Sequence, residues 1–379
     1  MSWLKALWRT ASKVLLEYAV LHPWKMGIIL VAGSLLGTGG FYVYEVVRAV
    51  EQVAREDIDL EAAREALEPG PTTTVAIGLV ERDLDAADYD LDPLDTIDWA
   101  RTQAAARAES PNSFGEPIGD EVFEAYLLLG ADRSEHLADA IILVLDPADR
   151  SDPIMVSLPR DLWAWNLCRQ TFTRLNEGLA GCAERATSSE LMALMVEDFT
   201  GVPIDHVARV NFGGFAALVD AMGGVTICVS YPSRDRQSEL NLPNGGCRQV
   251  NGRTALAWVR SRNLEQLRGG EWVNVGGSDF HRQSHQQDVL FSLAARAASF
   301  SSPATLADRL SAVSKAVRLD SGWTLREAVV TGWKHRGIDK DSVKRFELET
   351  EHHRSPRGQA VLRPAASFTD LLDEVHPLS

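Results

Sequence analysis

Hydrophobic and polar positions change rhythm along the chain, and each change marks a different kind of element. The first long signal is an unbroken apolar run from Met26 to Val47 whose only charge is Glu45. Such a run is long enough to cross about 30 Å of hydrocarbon as a helix, and its glycines are tolerated there. Before it, Trp3 to Leu21 places apolar residues at helical spacing, suiting a helix along the inner membrane surface or a plain cytoplasmic tail. After it, residues 48–68 alternate charge with a helical period and read as a juxtamembrane helix, ended by Pro69-Gly70-Pro71. Thr72–Val80 is β-branched and apolar and predicts a strand, whereas 81–122 is acidic and rich in turn formers and reads as an insertion or linker.

From residue 123 apolar strands alternate with helices. Strands are predicted at Tyr126–Leu129, Ala140–Leu145, Ile154–Leu158, His206–Asn211 and Val225–Val229. Helices are predicted at Ser188–Phe199, with Ser188 as cap, at Phe212–Met222 and at Gln286–Ala298, with a short element over Ala255–Arg260. Two more helices, Pro303–Val317 and Thr324–Trp333, precede a last strand near Val343–Leu348. This is an α/β pattern. The expected organisation is a cytoplasmic segment (1–25), a transmembrane helix (26–47), a juxtamembrane and accessory region (48–122), a core (123–300) and a C-terminal extension (301–379) that supplies the last strand.

Charge orients the chain. Lys5, Arg9, Lys13 and Lys25 precede the apolar run, and Glu45, Glu51, Glu56, Asp57, Asp59 and Glu61 follow it. The positive-inside rule then places the N-terminus in the cytoplasm and everything after about residue 50 outside, as a single-pass membrane protein. A cleaved signal peptide fits poorly, because the run is too long, starts too late and lacks a small-x-small exit. The net charge of −15 argues against nucleic acid as a partner. Four cysteines in a chain facing outward suggest two disulfides. They allow three connectivities, of which Cys168–Cys182 with Cys228–Cys247 is the simplest. A zinc site is the poorer alternative, since no close Cys/His pair exists to clamp the metal.

Four segments set charged groups against apolar elements. Asp132 follows one predicted strand and Asp139 precedes the next, so the two could share a hard divalent cation or could each cap a turn. Arg160 and Asp161 follow a buried-looking strand and a proline. Arg260 and Arg262 stand two apart, on one face if extended. Asp279, Arg282 and Gln286 are three and four apart, on one helical face. Arginine heads are rarely buried without an anion, and a planar fork repeated this densely suits phosphate oxygens. A polyphosphate ligand is therefore expected.

The order of motifs resembles the LytR-CpsA-Psr (LCP) family of cell-wall glycopolymer ligases, over roughly Tyr126 to Ala298. The carrying residues are Leu127-Leu128-Leu129-Gly130-Ala131-Asp132, Ser157-Leu158-Pro159-Arg160-Asp161, Val210-Asn211-Phe212-Gly213-Gly214-Phe215, Trp258-Val259-Arg260-Ser261-Arg262 and Asp279-Phe280-His281-Arg282. The cysteine pairs resemble those of actinobacterial members, which alone suggests arabinogalactan as the glycan. The resemblance implies an α-β-α sandwich with a mixed central sheet. It also implies transfer of a glycopolymer from a polyprenyl-pyrophosphate carrier to a peptidoglycan hydroxyl with Mg²⁺ (or Mn²⁺). Asp132 and Asp139 would hold the metal. Arg160, Arg260, Arg262 and Arg282 would grip the diphosphate with Gln286 beside them, and Asp279 would organise an arginine or help deprotonate the acceptor. Arg160, Asp279 and Arg282 are thus the expected catalytic set. Leu191, Leu194 and Met195, with Phe215 and Leu218, are candidates either for a lipid tunnel or for ordinary core. Two departures stand out. Leu137 and His285 occupy positions where the family usually has arginine, which leaves a catalytically weakened, glycan-binding or scaffolding homologue as the second reading. Arg133, Arg169 or Arg174 are the candidates to compensate.

Overall fold

The computed structural model describes residues 54–67, 117–276, 279–298, 317–323 and 343–378. The apolar run 26–47, the amphipathic segment 3–21, the predicted strand 72–80 and both predicted helices after residue 303, apart from Val317, lie outside the described residues. Among the described residues, no helix is long and apolar enough to cross a membrane.

Seven strands form one mixed sheet: β1 (Ala54–Glu56), β2 (Phe123–Ala131), β3 (Ala138–Pro147), β4 (Ile154–Ser157), β5 (His206–Asn211), β6 (Val317–Asp320) and β7 (Lys344–Glu347). Their spatial order is β1-β6-β5-β2-β3-β4-β7. The β1/β6, β5/β2 and β4/β7 pairs are parallel and the others antiparallel. Of the predicted strands in this sheet, those at 126–129 and 140–145 are longer than expected, that at 206–211 has the expected bounds, and those at 154–158 and 343–348 are shorter. The juxtamembrane helix is corrected: its described part is strand β1 followed by a separate helix, Leu60–Leu67. The C-terminal region is less of an extension than expected. Val317, placed at the end of a helix by the sequence reading, opens β6, which sits inside the sheet.

β2 shows why the sheet has two unlike faces. Phe123, Ala125, Leu127, Leu129 and Ala131 are nearly inaccessible, whereas Leu128 and Gly130 between them are only half-buried. Alternate residues face opposite sides. The first set packs on helix α1 (Ser188–Thr200), whose Leu191 to Val196 are buried all round. Leu191, Leu194 and Met195 are therefore core, not tunnel. Thr187, not Ser188, caps α1: its hydroxyl accepts from the Glu190 amide while Glu190 answers to the Thr187 amide, a reciprocal capping box. Across the other face lie helices α2 (Phe212–Ala221), α3 (Gly252–Val259) and α4 (Asp279–Ala298), which pack around a second core including Val219, Trp258 and Val289. The local disulfide pairing holds, with Cys168–Cys182 and Cys228–Cys247 both formed.

At the far end of β5, His206 joins three strands. Its ring lies 3.6 Å from both Asp320 and Glu124 and stacks on Trp323. Burial opposes its protonation, but Asp320, Glu124 and Asp205 outweigh that and raise its pKa above 6.5. A raised folded-state pKa contributes stability in full below 6.5 and loses it as pH rises through the folded value. The melting temperature is therefore expected to fall between pH 6 and 8, and His206→Gln to flatten that slope. Parallel slopes for both proteins in a thermal-melt series would refute this.

Candidate functional site

The half-buried face of the sheet does not close against its helices. A cavity of about 420 Å³ lies between them. Leu128, Gly130, Ala140, Ile142, Ala208 and Val210 form its sheet wall, and Phe215, Leu218, Leu256, Val259 and Leu290 its helical wall. Gly130 and Ala140 sit close on that wall, since a Cβ on Gly130 would stand 3.0 Å from that of Ala140. Of the proposed lipid-lining residues, Phe215 and Leu218 are the two that reach it.

One end is strongly polar: Asp139, Arg160, Arg260, Arg262, Arg282 and Gln286 all line the cavity. The structure brings these six expected residues together. Asp139 owes its place to a bulge. Gly130 pairs with Ala140 and Ala131 with Ala138, so Asp139 has no partner across the ladder and is re-aimed. Its carboxylate accepts from Arg160 Nη1 at 2.6 Å. Arg160 enters from the loop after β4 and also lies 3.6 Å from Asp161, which in turn lies 3.5 Å from Arg174. The Asn176 amide donates to the Arg160 carbonyl, tying this loop to the segment enclosed by Cys168–Cys182.

Arg260 and Arg262 are not on an extended strand. Arg260 ends α3, its guanidinium 4.7 Å from the centre of the Phe212 ring, and Arg262 follows a turn. Asp235, which the sequence reading missed, holds that turn. One of its carboxylate oxygens accepts from Ser261 Oγ and the Arg262 and Asn263 amides, at 2.8, 3.0 and 3.0 Å. Burial raises the Asp235 carboxyl, but its hydrogen bonds from Asn263, Ser261, Gln237 and Ser238 outweigh burial and hold it below the usual carboxylate range. A lone aspartate 26 to 28 residues upstream gives no sequence signal for this. Gln286 lies one turn beyond Arg282 on α4, both nearly inaccessible. Asp279 opens the same helix, and its side chain is outside what the structure describes.

Asp132 sits apart from the cavity lining. Its carboxylate accepts from Ser134 Oγ at 2.8 Å and from the Ser134 amide, so it closes the β2–β3 turn. Glu135 in that turn has φ 61° and was also missed. Its carbonyl accepts from Arg209 Nη2 at 2.8 Å and its carboxylate from Asn211 Nδ2 at 2.6 Å, clasping the turn to the end of β5. No group of three or more His, Cys, Asp or Glu suited to a metal occurs among the described residues.

Leu137 and His285, where the resemblance leads one to expect arginine, have different surroundings. Leu137 is exposed at 38%. His285 stacks on Trp258 with ring centres 3.7 Å apart, and burial pushes its pKa down to about 4. It is neutral at physiological pH. Its ring protons are expected to show no NMR titration shift between pH 5.5 and 8; a midpoint near 6.5 would place it in solvent. Arg169 pairs with Glu177 and Arg174 with Asp161, and neither they nor Arg133 line the cavity. Arg209 does line it, though its guanidinium is committed to Glu135.

Known proteins resemble this chain in sequence and in fold. A profile of the LytR_cpsA_psr family matches residues 103–370. The chain is 28% identical over 227 residues to the cell wall biosynthesis protein LcpA of Corynebacterium glutamicum, covering 53% of this chain and 41% of that protein. It is 30% identical over 225 residues to the polyisoprenyl-teichoic acid–peptidoglycan teichoic acid transferase TagU of Halalkalibacterium halodurans, covering 58% and 65%. It thus spans less than two thirds of either relative. Among solved structures, a LytR-Csp2A-Psr enzyme from Actinomyces oris superposes with TM-score 0.54 at 25% identity, over 68% of this chain and 95% of that one.

Proposed function

The chain belongs to the LytR-CpsA-Psr family, and from that premise we propose that it transfers a glycopolymer from a polyprenyl-pyrophosphate carrier to a peptidoglycan hydroxyl. The observation that carries the proposal is a cavity lined by arginines at one end and by apolar side chains along its sheet and helix walls. That polarity matches a ligand whose head is a diphosphate and whose tail is a polyprenyl chain. The name of the TagU relative, a peptidoglycan teichoic acid transferase, supports the reaction class. Arabinogalactan is our candidate glycan. A single anchor at 26–47, with the N-terminus cytoplasmic, is our reading of the location.

The tail lies between the sheet wall and α2–α4, where its burial excludes water from the adjoining phosphates. Arg160, Arg260, Arg262 and Arg282 orient the diphosphate and neutralise charge that shifts onto the bridging oxygen. The acceptor oxygen bonds to the sugar-side phosphorus, the bridging P–O bond breaks, and polyprenyl phosphate leaves. Asp279 is our candidate to take the acceptor proton. Asp132 and Asp139, at the two ends of one turn, would hold Mg²⁺, which commonly takes one or two carboxylates with phosphate and water completing its shell. Such an ion supplies charge neutralisation.

Neutral His285 and exposed Leu137 favour the second reading, a homologue that binds lipid-linked glycan without efficient transfer. A transfer assay with a synthetic polyprenyl-pyrophosphate glycan and peptidoglycan separates the two. Release of polyprenyl phosphate with formation of the phosphodiester, lost in Asp139→Asn, is the expected result. Tight binding with no turnover would leave a binding protein.

A further inference from the structure

Beside the polar end of the cavity stands a small sheet of four strands, Leu240–Leu242, Ser233–Asp235, Glu265–Arg268 and Glu271–Asn274, in that spatial order. Its last two strands are a hairpin strung between the arginine pair 260/262 and α4. One face is buried through Ser233, Asp235, Leu240 and Leu242, and Asp235 is the residue that shapes the Arg262 turn. The other face has a different composition. Asn241 pairs with Arg234, Arg234 with Glu265, and Glu265 with Asn274, so these four side chains form one straight row across all four strands. At the usual strand spacing this row is about 14 Å long. Trp272, two residues from Asn274, shares the face and is 38% exposed.

The row is organised rather than merely solvated. Glu265 accepts from Arg234 Nε at 2.7 Å, and the guanidinium lies 3.9 Å from the centre of the Trp272 ring. The indole is thus held on one side by a fixed cation. Of the exposed large hydrophobics among the described residues, Trp272 lies on this face, whereas Val273 pairs with Gln266 and lies on the opposite one.

We propose that this outer face is a saccharide-binding surface for the glycan strand of the acceptor, a proposal that rests on the transfer reaction above. Sugar rings offer an apolar face of C–H groups, which an indole covers, and a rim of hydroxyls. Planar amide, guanidinium and carboxylate groups address that rim with paired hydrogen bonds. The row Asn-Arg-Glu-Asn supplies those groups with no net charge, which suits a polyhydroxylated polymer better than an anionic one. An anionic membrane surface is disfavoured because the row's one cation, Arg234, is paired with Glu265. The acceptor is the better occupant than the donor glycan. The donor's first sugar is bonded to the diphosphate inside the cavity, whereas this face lies one sheet thickness away, where a separate long strand is gripped at sugars other than the reacting one.

The test uses the full chain in detergent and titration calorimetry with peptide-free oligosaccharides released from peptidoglycan. The expected result is binding that Trp272→Ala weakens at least tenfold and Glu265→Ala several-fold, with affinity for a polyprenyl diphosphate unchanged in both. Equal binding by wild type and Trp272→Ala would overturn it. So would binding of anionic phospholipid vesicles in place of the oligosaccharides, or a Trp272→Ala effect on the KM of the donor but not of the acceptor. Absence of polyprenyl-diphosphate binding by the wild type would instead overturn the transfer reaction, whatever the oligosaccharides do.

Discussion

Replacing Arg282 with alanine is expected to lower glycopolymer transfer by two to three orders of magnitude. Arg282 is 3% exposed, lies on the cavity wall, and shares that end with Arg160, Arg260 and Arg262. In phosphoryl transfer the protein contributes chiefly position and charge. Removing one preorganised donor to developing negative charge typically costs about 10²–10³ in rate. Lysine keeps the charge but not the fork, so Arg282→Lys should fall between wild type and alanine. Steady-state release of polyprenyl phosphate reads the effect. Turnover by Arg282→Ala within threefold of wild type would remove Arg282 from the proposed site.

Filling the apolar half of the cavity should be nearly as damaging and by a different route. Ala208 lies on the sheet wall, paired with Leu128 across β2. A phenylalanine there would project into the space assigned to the polyprenyl tail. Excluding about four methylene-sized groups forfeits roughly 3 kcal/mol of burial, about a hundredfold in affinity. Ala208→Phe is therefore expected to lose about two orders of magnitude in polyprenyl-diphosphate binding while inorganic pyrophosphate binds as before. Equal losses for both ligands would show that the substitution disturbs the arginines instead, and an unchanged lipid affinity would move the tail elsewhere.

Much of this was legible from spacing alone. The periods of 123–298 gave the strands of the central sheet and its covering helices because at least one face of each is buried continuously, as in β2, whereas short strands such as Ser233–Asp235 and Glu265–Arg268 were missed. The clustering of Arg260, Arg262 and Arg282 was legible because arginines so dense among apolar residues demand an anion. What failed to show depends on contacts between distant segments. Short β1 and β6 are strands only because they pair with each other and with β5. Asp235 acquires its role from hydrogen bonds to a turn far along the chain, and Glu135 from a left-handed backbone that no local pattern announces. Leu194 and Phe215 look alike in sequence, yet one faces a packed core and the other a void, a difference set by which side of the sheet each helix covers.

The unequal faces of the central sheet separate two selective pressures. The side covered by α1 is close-packed, so it carries the fold and resists change. The side facing α2–α4 is hollow, and enlarging or reshaping it removes few contacts that hold the fold. Substitutions along that wall are therefore expected to retune which carrier lipid the proposed tail site accepts while the protein continues to fold. Diversification of the carrier is thus expected to run through Leu128, Ala208, Phe215 and their neighbours, leaving the opposite core as the fixed chassis.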